Sequence, residues 1–328
     1  MNELTKQVFS IASQKDFEEV GLKVFSHQAT HCQVYRDYIL NLGVDPSTID
    51  TLAKVPYLPI SFFKSHEVLS DTSSKTEIVF SSSGTTGMSQ SRHLVTDVSI
   101  YEQSFRQAFE LFYGPIADIC LLALLPSYLE RDGSSLIYMI DALIKDSNHP
   151  DSGYFLHNHD DLLQKLQAQK DSGQKTILIG VTYALLDFLE SHTLNFPELI
   201  VMETGGMKGK RKEMVREELH QILTTGFGVH AIHSEYGMTE LLSQGYSAGE
   251  GLFNCPAWMQ INLRDTNDPL SAVEGQKTGG INVIDLANFN SCSFIATQDL
   301  GKIYADGSFE VLGRFDNSDI RGCNLLIG

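Results

Sequence analysis

The spacing of apolar residues changes along the chain, and each change predicts a different kind of structure. Through "FEEVGLKVFSHQATHCQVYRDYILNLG" in the first fifty residues, apolar positions recur at intervals of three and four, and Gly43 is the expected stop. That is the period of a buried helix face. The next stretch, "VPYLPISFFKSHEVLS", holds two prolines and is expected to be extended or irregular. Between Cys120 and His233, short apolar runs ("CLLALL", "GYFLH", "TILIGV", "ELIVME", "VHAIHS") alternate with helical stretches ("SSLIYMIDALIKD", "DDLLQKLQAQKDSG", "YALLDFLES", "KRKEMVREELHQILTTGFG"). Strand–helix alternation implies crossovers and a parallel sheet. The tail, with "GGINVIDL", "SFIATQDLG" and "KIYADGSFEVLGR", reads as short antiparallel strands with Asp306-Gly307 at a hairpin turn.

In a parallel sheet, ligands bind beyond the carboxyl ends of the strands. After "ELIVM" comes Glu203-Thr204-Gly205-Gly206-Met207-Lys208, and after "VHAIH" comes Ser234-Glu235-Tyr236-Gly237-Met238-Thr239-Glu240. Both are rich in glycine and polar groups. Earlier, "VFSSSGTTGMSQSRHLVTD" packs eight Ser or Thr into nineteen residues. It is neither a Walker loop, since no Lys follows Gly87, nor a dinucleotide fingerprint. "RHLVT" reads as a second strand and Asp97 as the N-cap of the following helix, so the loop joins a hairpin. Gly84 and Gly87 permit positive φ and an inward-turned nest of N–H groups that suits an anion; a plain surface turn is the other reading.

Composition narrows the partners. A formal net charge of −17 argues against nucleic acid and anionic membrane. The N-terminus is charged throughout and lacks the apolar core of a signal peptide, and no run reaches transmembrane length. Five scattered cysteines (Cys32, Cys120, Cys255, Cys292, Cys323) form no Cys-x-x-Cys pair, which suits a reducing cytoplasm. His27, His31 and Cys32, and the group His157, His159, Asp160 and Asp161, lack further ligands at a recognised spacing, so a structural zinc is not expected.

Four stretches then fall in order: "SSSGTTG" (81–87), "EYGMTE" (235–240), "ATQDLG" (296–301) and "GRFDNSDIRG" (313–322). Together they resemble the adenylate-forming superfamily of acyl-CoA synthetases, adenylation domains and luciferases. "PYLPISFFKSHEV", "PSYLERDGSSLIYM", "ETGGMKGKRKE" and the terminal "RGCNLLIG" are similar to its LuxE-like acyl-protein synthetases. The resemblance implies an α/β fold: a large adenylating domain with helix-flanked parallel sheets and a small antiparallel β region, its C-terminal lid domain missing or vestigial. Residues 1–328 would form one domain, with a helical region 1–75, a nucleotide-binding core 76–255 and a β-rich region 256–328. The activity implied is ATP-dependent formation of an acyl-adenylate from a carboxylic acid, fatty in this family, followed by transfer to a thiol.

The same resemblance implies the site. Ser82, Ser83, Gly84, Thr85, Thr86 and Gly87 would cradle the ATP phosphates. Gly205, Gly206 and Met207 would line the junction of adenine and acyl group, with Tyr236 and Gly237 beside the adenine. Thr239 would hydrogen-bond phosphate and Glu240 would hold Mg²⁺. Asp299 would accept from the ribose hydroxyls, and Arg314 would contact ribose or phosphate. Cys323 would carry the acyl group as a thioester before a partner reductase receives it. Two departures stand out. The loop reads Gly87-Met88-Ser89-Gln90 where the superfamily has Gly-x-Pro-Lys, and only twelve residues follow Asp316, so no lid lysine is available. Lys208, near Lys210, Arg211 and Lys212, is the candidate replacement. The acceptor stays open between a cysteine, coenzyme A and a carrier protein. A non-catalytic nucleotide- or acyl-binding subunit and an aryl- or acyl-CoA ligase are the alternative readings.

Overall fold

The structure is a computed structural model that describes residues 3–70, 72–82, 90–126, 133–205, 214–273 and 277–314. Its contacts divide the chain into two compact units, one built from Met1–Ser74 and Ala257–Gly328, the other from Lys75–Pro256.

The first unit opens with helices α1 (Glu3–Phe9), α2 (Gln14–His31) and α3 (Gln33–Asn41). Ser13 caps α2: its hydroxyl accepts from the Asp16 N–H at 3.1 Å and donates to the Asp16 carboxylate at 2.8 Å. The helical period buries Phe17, Val20, Val24, Phe25 and Gln28 on one face. Gly21 lies on that face because a Cβ there would sit 2.8 Å from Leu52 Cδ1. Gly43, at φ +71°, follows the end of α3. The proline-bearing stretch holds a two-residue strand, β1 (Leu58–Pro59), and then one helical turn, α4 (Phe62–Ser65). The turn forms past the second proline, where proline no longer limits the backbone.

The second unit starts with the antiparallel hairpin β2 (Ile78–Ser81) and β3 (Arg92–Val95). Asp97 caps the next helix, α5 (Val98–Tyr113), accepting from the Ser99 N–H at 3.1 Å. Alternation follows: β4 (Cys120–Leu124), α6 (Ser135–Ser147), β5 (Gly153–Tyr154), α7 (His159–Ser172), β6 (Thr176–Val181), α8 (Thr182–Ser191), β7 (Ile200–Thr204), α9 (Arg216–Phe227), β8 (Ile232–Tyr236), β9 (Gly245–Ser247) and β10 (Leu252–Asn254). Within this unit the strand order is β10-β9-β8-β7-β6-β4-β5. Pairs from β5 to β8 are parallel, while β8/β9 and β9/β10 are antiparallel. Strands β4 and β6 are buried at every residue, which is why they read as unbroken apolar runs. Strand β5, at the edge, keeps only two residues. Strands β7 and β8 run to Thr204 and Tyr236, beyond the apolar runs that announced them, and Val181 pairs with Thr204 to extend the ladder.

The chain then completes the first unit with the antiparallel strands β11 (Met259–Arg264), β12 (Thr278–Asp285), β13 (Phe294–Ile303) and β14 (Phe309–Arg314), with β1 running parallel to β13. The β13–β14 turn uses Gly307 at φ +85°, and the Asp306 carboxylate accepts from the Ser308 N–H at 3.0 Å. Rings of Phe25, Tyr35, Tyr57 and Phe294 pack at centroid separations of 6.0 to 6.3 Å to form the core of this unit. Beside them the buried Gln28 amide donates to the carbonyls of Asn288 and Phe289, both at 3.1 Å.

Candidate active site

Nine of the candidate residues lie outside the described residues: Ser83, Gly84, Thr85, Thr86, Gly87, Gly206, Met207, Lys208 and Cys323. The other eight fall in three places: five at or just past the carboxyl ends of β7 and β8, Ser82 in the β2–β3 hairpin, and Asp299 and Arg314 on β13 and β14.

Gly205 leaves β7 at φ +73°, a conformation open to glycine without strain. Beside it the Thr204 hydroxyl donates to Glu235 Oε2 at 2.6 Å, tying the two strand ends together. Tyr236 closes β8; it is 8% exposed, and its ring meets Phe253 at 6.0 Å and 62°. Arg216 lies over the same Phe253 ring at 5.7 Å. Gly237 comes next, and a Cβ there would sit 2.3 Å from Glu235 Oε1 and 3.2 Å from Gln244 Cγ, so a side chain would have to push the Glu235 carboxylate aside. Glu240 is 6% exposed. A carboxylate that deep is retained where charge or hydrogen bonds meet it.

The β2–β3 hairpin is tied to this segment. Its buried His93 lies with Nδ1 2.8 Å from the carbonyl oxygen of Thr239. A carbonyl oxygen has no proton to give, so Nδ1–H donates and the tautomer is set. Ser82 closes the base of the loop: its N–H donates to the Ser91 carbonyl at 3.2 Å, and its hydroxyl accepts from the Ser91 N–H at 3.0 Å.

Behind these groups, Glu203 accepts from the Thr182 hydroxyl at 3.3 Å, and His220 Nε2 stands 3.9 Å from its other oxygen. Burial raises the Glu203 pKa, but the neighbouring His220, Ser234 and Arg216 outweigh it and hold the carboxyl below its ordinary range. On β8, burial lowers the pKa of His233, whose Nδ1 is 3.2 Å from the Tyr113 hydroxyl.

Asp299 and Arg314 belong to the first unit. They are cross-strand neighbours on β13 and β14, with Arg314 Nε donating to Asp299 Oδ1 at 3.2 Å. The Asp299 side chain is 10% exposed and that of Arg314 is 77% exposed. Arg264 supports the strand beneath: its guanidinium donates to the Ile281 carbonyl at 2.7 Å, to Asn282 Oδ1 at 2.8 Å and to the Thr297 carbonyl. The Thr297 hydroxyl in turn accepts from the Asp299 N–H at 3.1 Å.

His93, Gln244 and Arg264 are not among the sequence candidates. For His93 a signal exists, a polar residue within a predicted strand; the other two carry none. Among the described residues, no three His, Cys, Asp or Glu side chains group as a metal site, and no helix is long and apolar enough to cross a membrane.

The fold, a mixed α/β arrangement, matches that of adenylate-forming ligase domains. The chain superposes on 2-hydroxyisobutyryl-CoA ligase, solved with its acyl-AMP and coenzyme A, with a TM-score of 0.69 at 13% identity, covering 94% of this chain and 77% of that one. It also superposes on ATP-bound MatB from Rhodopseudomonas palustris (TM-score 0.53, 19% identity, 72% and 47% covered). A third match is MenE from Bacillus subtilis with ATP and magnesium (TM-score 0.50, 21% identity, 73% and 50% covered). In sequence it is 35% identical over 75 residues to the long-chain-fatty-acid–luciferin-component ligase of Photorhabdus luminescens, a match that spans 23% of this chain and 64% of that relative. The chain belongs to the acyl-protein synthetase, LuxE family, whose profile matches residues 9–328.

Proposed function

We propose that this chain is an ATP-dependent ligase that activates a carboxylic acid as an acyl-adenylate and passes the acyl group to a thiol. A carboxylate oxygen attacks the α-phosphorus of ATP and pyrophosphate leaves; a thiolate then attacks the acyl carbon and AMP leaves. The observation that carries this reading is family membership over residues 9–328, with the four motifs in order along the chain. The relatives support it: one is named a ligase of long-chain fatty acid and a luciferin component, and others were solved with an acyl-adenylate and coenzyme A or with ATP and magnesium.

The residues fit these ligands. Glu240 offers hard carboxylate oxygen, which Mg²⁺ prefers, and bound Mg²⁺ would neutralise phosphate charge. Ser82 anchors the phosphate loop that continues through Ser83, Gly84, Thr85, Thr86 and Gly87. The Thr239 hydroxyl bonds phosphate, on a backbone that His93 holds by its carbonyl. Gly205, Gly206 and Met207 line the junction of adenine and acyl group, and Tyr236 and Gly237 meet the adenine. Asp299, pre-set by Arg314, receives ribose hydroxyls. Lys208 supplies positive charge for the departing pyrophosphate. Cys323 is the first acyl acceptor, ahead of coenzyme A or a carrier protein, and the cytoplasm is the compartment.

The test supplies ATP, Mg²⁺ and acid with hydroxylamine as acceptor. Acid-dependent hydroxamate and AMP are expected. ATP binding without either product would favour a non-catalytic nucleotide-binding subunit. With labelled acid and no hydroxylamine, a hydroxylamine-labile protein adduct absent from Cys323→Ser is expected; an adduct that persists excludes that cysteine.

A further inference from the structure

Resting on the adenylating reading and on Asp299 as its ribose acceptor, we propose that Arg264 and Thr297 are positioning residues. They hold a bulge in β13 that aims the Asp299 carboxylate, and through it they set the preference for a ribonucleotide over its 2′-deoxy form. The bulge is visible in the strand register. Gly280 on β12 pairs with Leu300 on β13, and Asn282 pairs with Ala296. Between those pairs β12 has only Ile281, whereas β13 has Thr297, Gln298 and Asp299. The ladder is therefore broken at the Thr-x-Asp stretch itself. Extra residues in one strand bend it and re-aim its side chains, and such bulges recur beside active sites. On its other side the same stretch keeps a partner, since Asp299 pairs with Arg314 on β14.

A broken ladder leaves buried backbone groups that something else must meet. Here side chains meet them. Arg264, the last residue of β11, stands directly opposite Gly280. A Cβ on Gly280 would lie 2.7 Å from Arg264 Cζ, so the missing side chain is the gap through which the guanidinium crosses β12. It donates to the Ile281 carbonyl at 2.7 Å, to Asn282 Oδ1 at 2.8 Å and, on β13, to the Thr297 carbonyl. The Thr297 hydroxyl donates to the same Ile281 carbonyl at 2.9 Å and accepts from the Asp299 N–H at 3.1 Å. One chain of hydrogen bonds thus runs from Arg264 through Ile281 and Thr297 to the Asp299 backbone. Arg264 is 6% exposed and Thr297 1%. Burying a guanidinium is costly, and an unbroken ladder would satisfy these carbonyls with backbone N–H groups alone. What the arrangement adds is the direction of Asp299. A lysine would not serve, because an ammonium lacks the planar fork of donors that reaches both strands.

Titration calorimetry of the full chain with ATP and with 2′-deoxy-ATP, Mg²⁺ present, tests this through the ratio of the two Kd values. The parent should favour ATP by about tenfold or more, the worth of a hydrogen bond to a charged group, and Asp299→Ala should bring the ratio near one. Thr297→Val, which keeps the volume and loses the hydroxyl, and Arg264→Lys, which keeps the charge and loses the fork, should each lower the ratio at least about threefold. Thr297→Ser, which keeps the hydroxyl, should retain it. A purely structural role would weaken both nucleotides alike and leave the ratio standing. Thr297→Val decides alone if Arg264→Lys does not fold. A ratio lost in Asp299→Ala but kept in Thr297→Val, or lost equally in Thr297→Ser and Thr297→Val, overturns this inference and leaves the ribose role standing. A parent that binds both nucleotides equally, or binds neither, overturns the ribose role and this inference with it, as does a ratio that survives Asp299→Ala.

Discussion

At the carboxyl end of β8, two groups near Gly237 are held by neighbours: Glu235 by Thr204, and the Thr239 carbonyl by His93. The β13–β14 hairpin offers instead one sheltered carboxylate, Asp299, and one largely exposed guanidinium, Arg314. The first arrangement is preorganised and has no slack, since interiors this close-packed yield little to an added atom. The second leaves a long cation able to leave its partner at small cost, as exposed ion pairs contribute at most about 1 kcal/mol. Substitutions at β8 should therefore disturb fold and chemistry together, whereas those on the hairpin should act on ligand binding alone.

The largest separation is expected at Asp299. Asp299→Ala should weaken ATP binding by about 2–3 kcal/mol, the loss of a charged hydrogen bond, with a far smaller change in thermal stability. Unchanged ATP affinity by titration calorimetry would remove Asp299 from the ribose role. Next comes Gly237→Ala, whose Cβ must displace the Glu235 carboxylate. A loss of about 1–3 kcal/mol is expected in urea unfolding, with adenylation falling in parallel; a variant as stable as the parent would show that this end of β8 can give way. Arg314→Ala is the mild case, with less than about 1 kcal/mol lost from stability. A larger loss would mean that the hairpin is as tightly determined as the β8 end.

The smallest effect concerns pH. Burial depresses the folded-state pKa of His233 below the ordinary histidine value near 6.5, so the folded protein resists a proton that the unfolded chain accepts. Its contribution to stability is present above about pH 6.5 and is lost as pH falls from there through the folded pKa. His233→Gln should flatten the stability–pH curve in that window, and an unaltered slope would assign the acid sensitivity elsewhere.

How much of this was legible depended on range along the chain. The buried runs of β4 and β6 and the Asp97 cap are local signals, and they appear where the residues predict them. Strand β11, "MQINLR", is not among the predicted strands although its apolar and polar residues alternate with the period of a half-buried strand; the signal spans only six residues. The motif residues at the candidate site were readable as a set, and the fold they imply is the one observed. Their holders were not: His93 meets Thr239 across 146 residues, and Gln244 means something only beside Gly237. Long-range contacts of that kind leave no periodicity to read.

The most direct test of the central claim is acid-dependent pyrophosphate–ATP exchange by the full chain and by Glu240→Gln. The account predicts exchange that requires acid, ATP and Mg²⁺ in the parent, and a fall of roughly a hundredfold or more in the folded variant. Exchange independent of acid, or undiminished in Glu240→Gln, would contradict it.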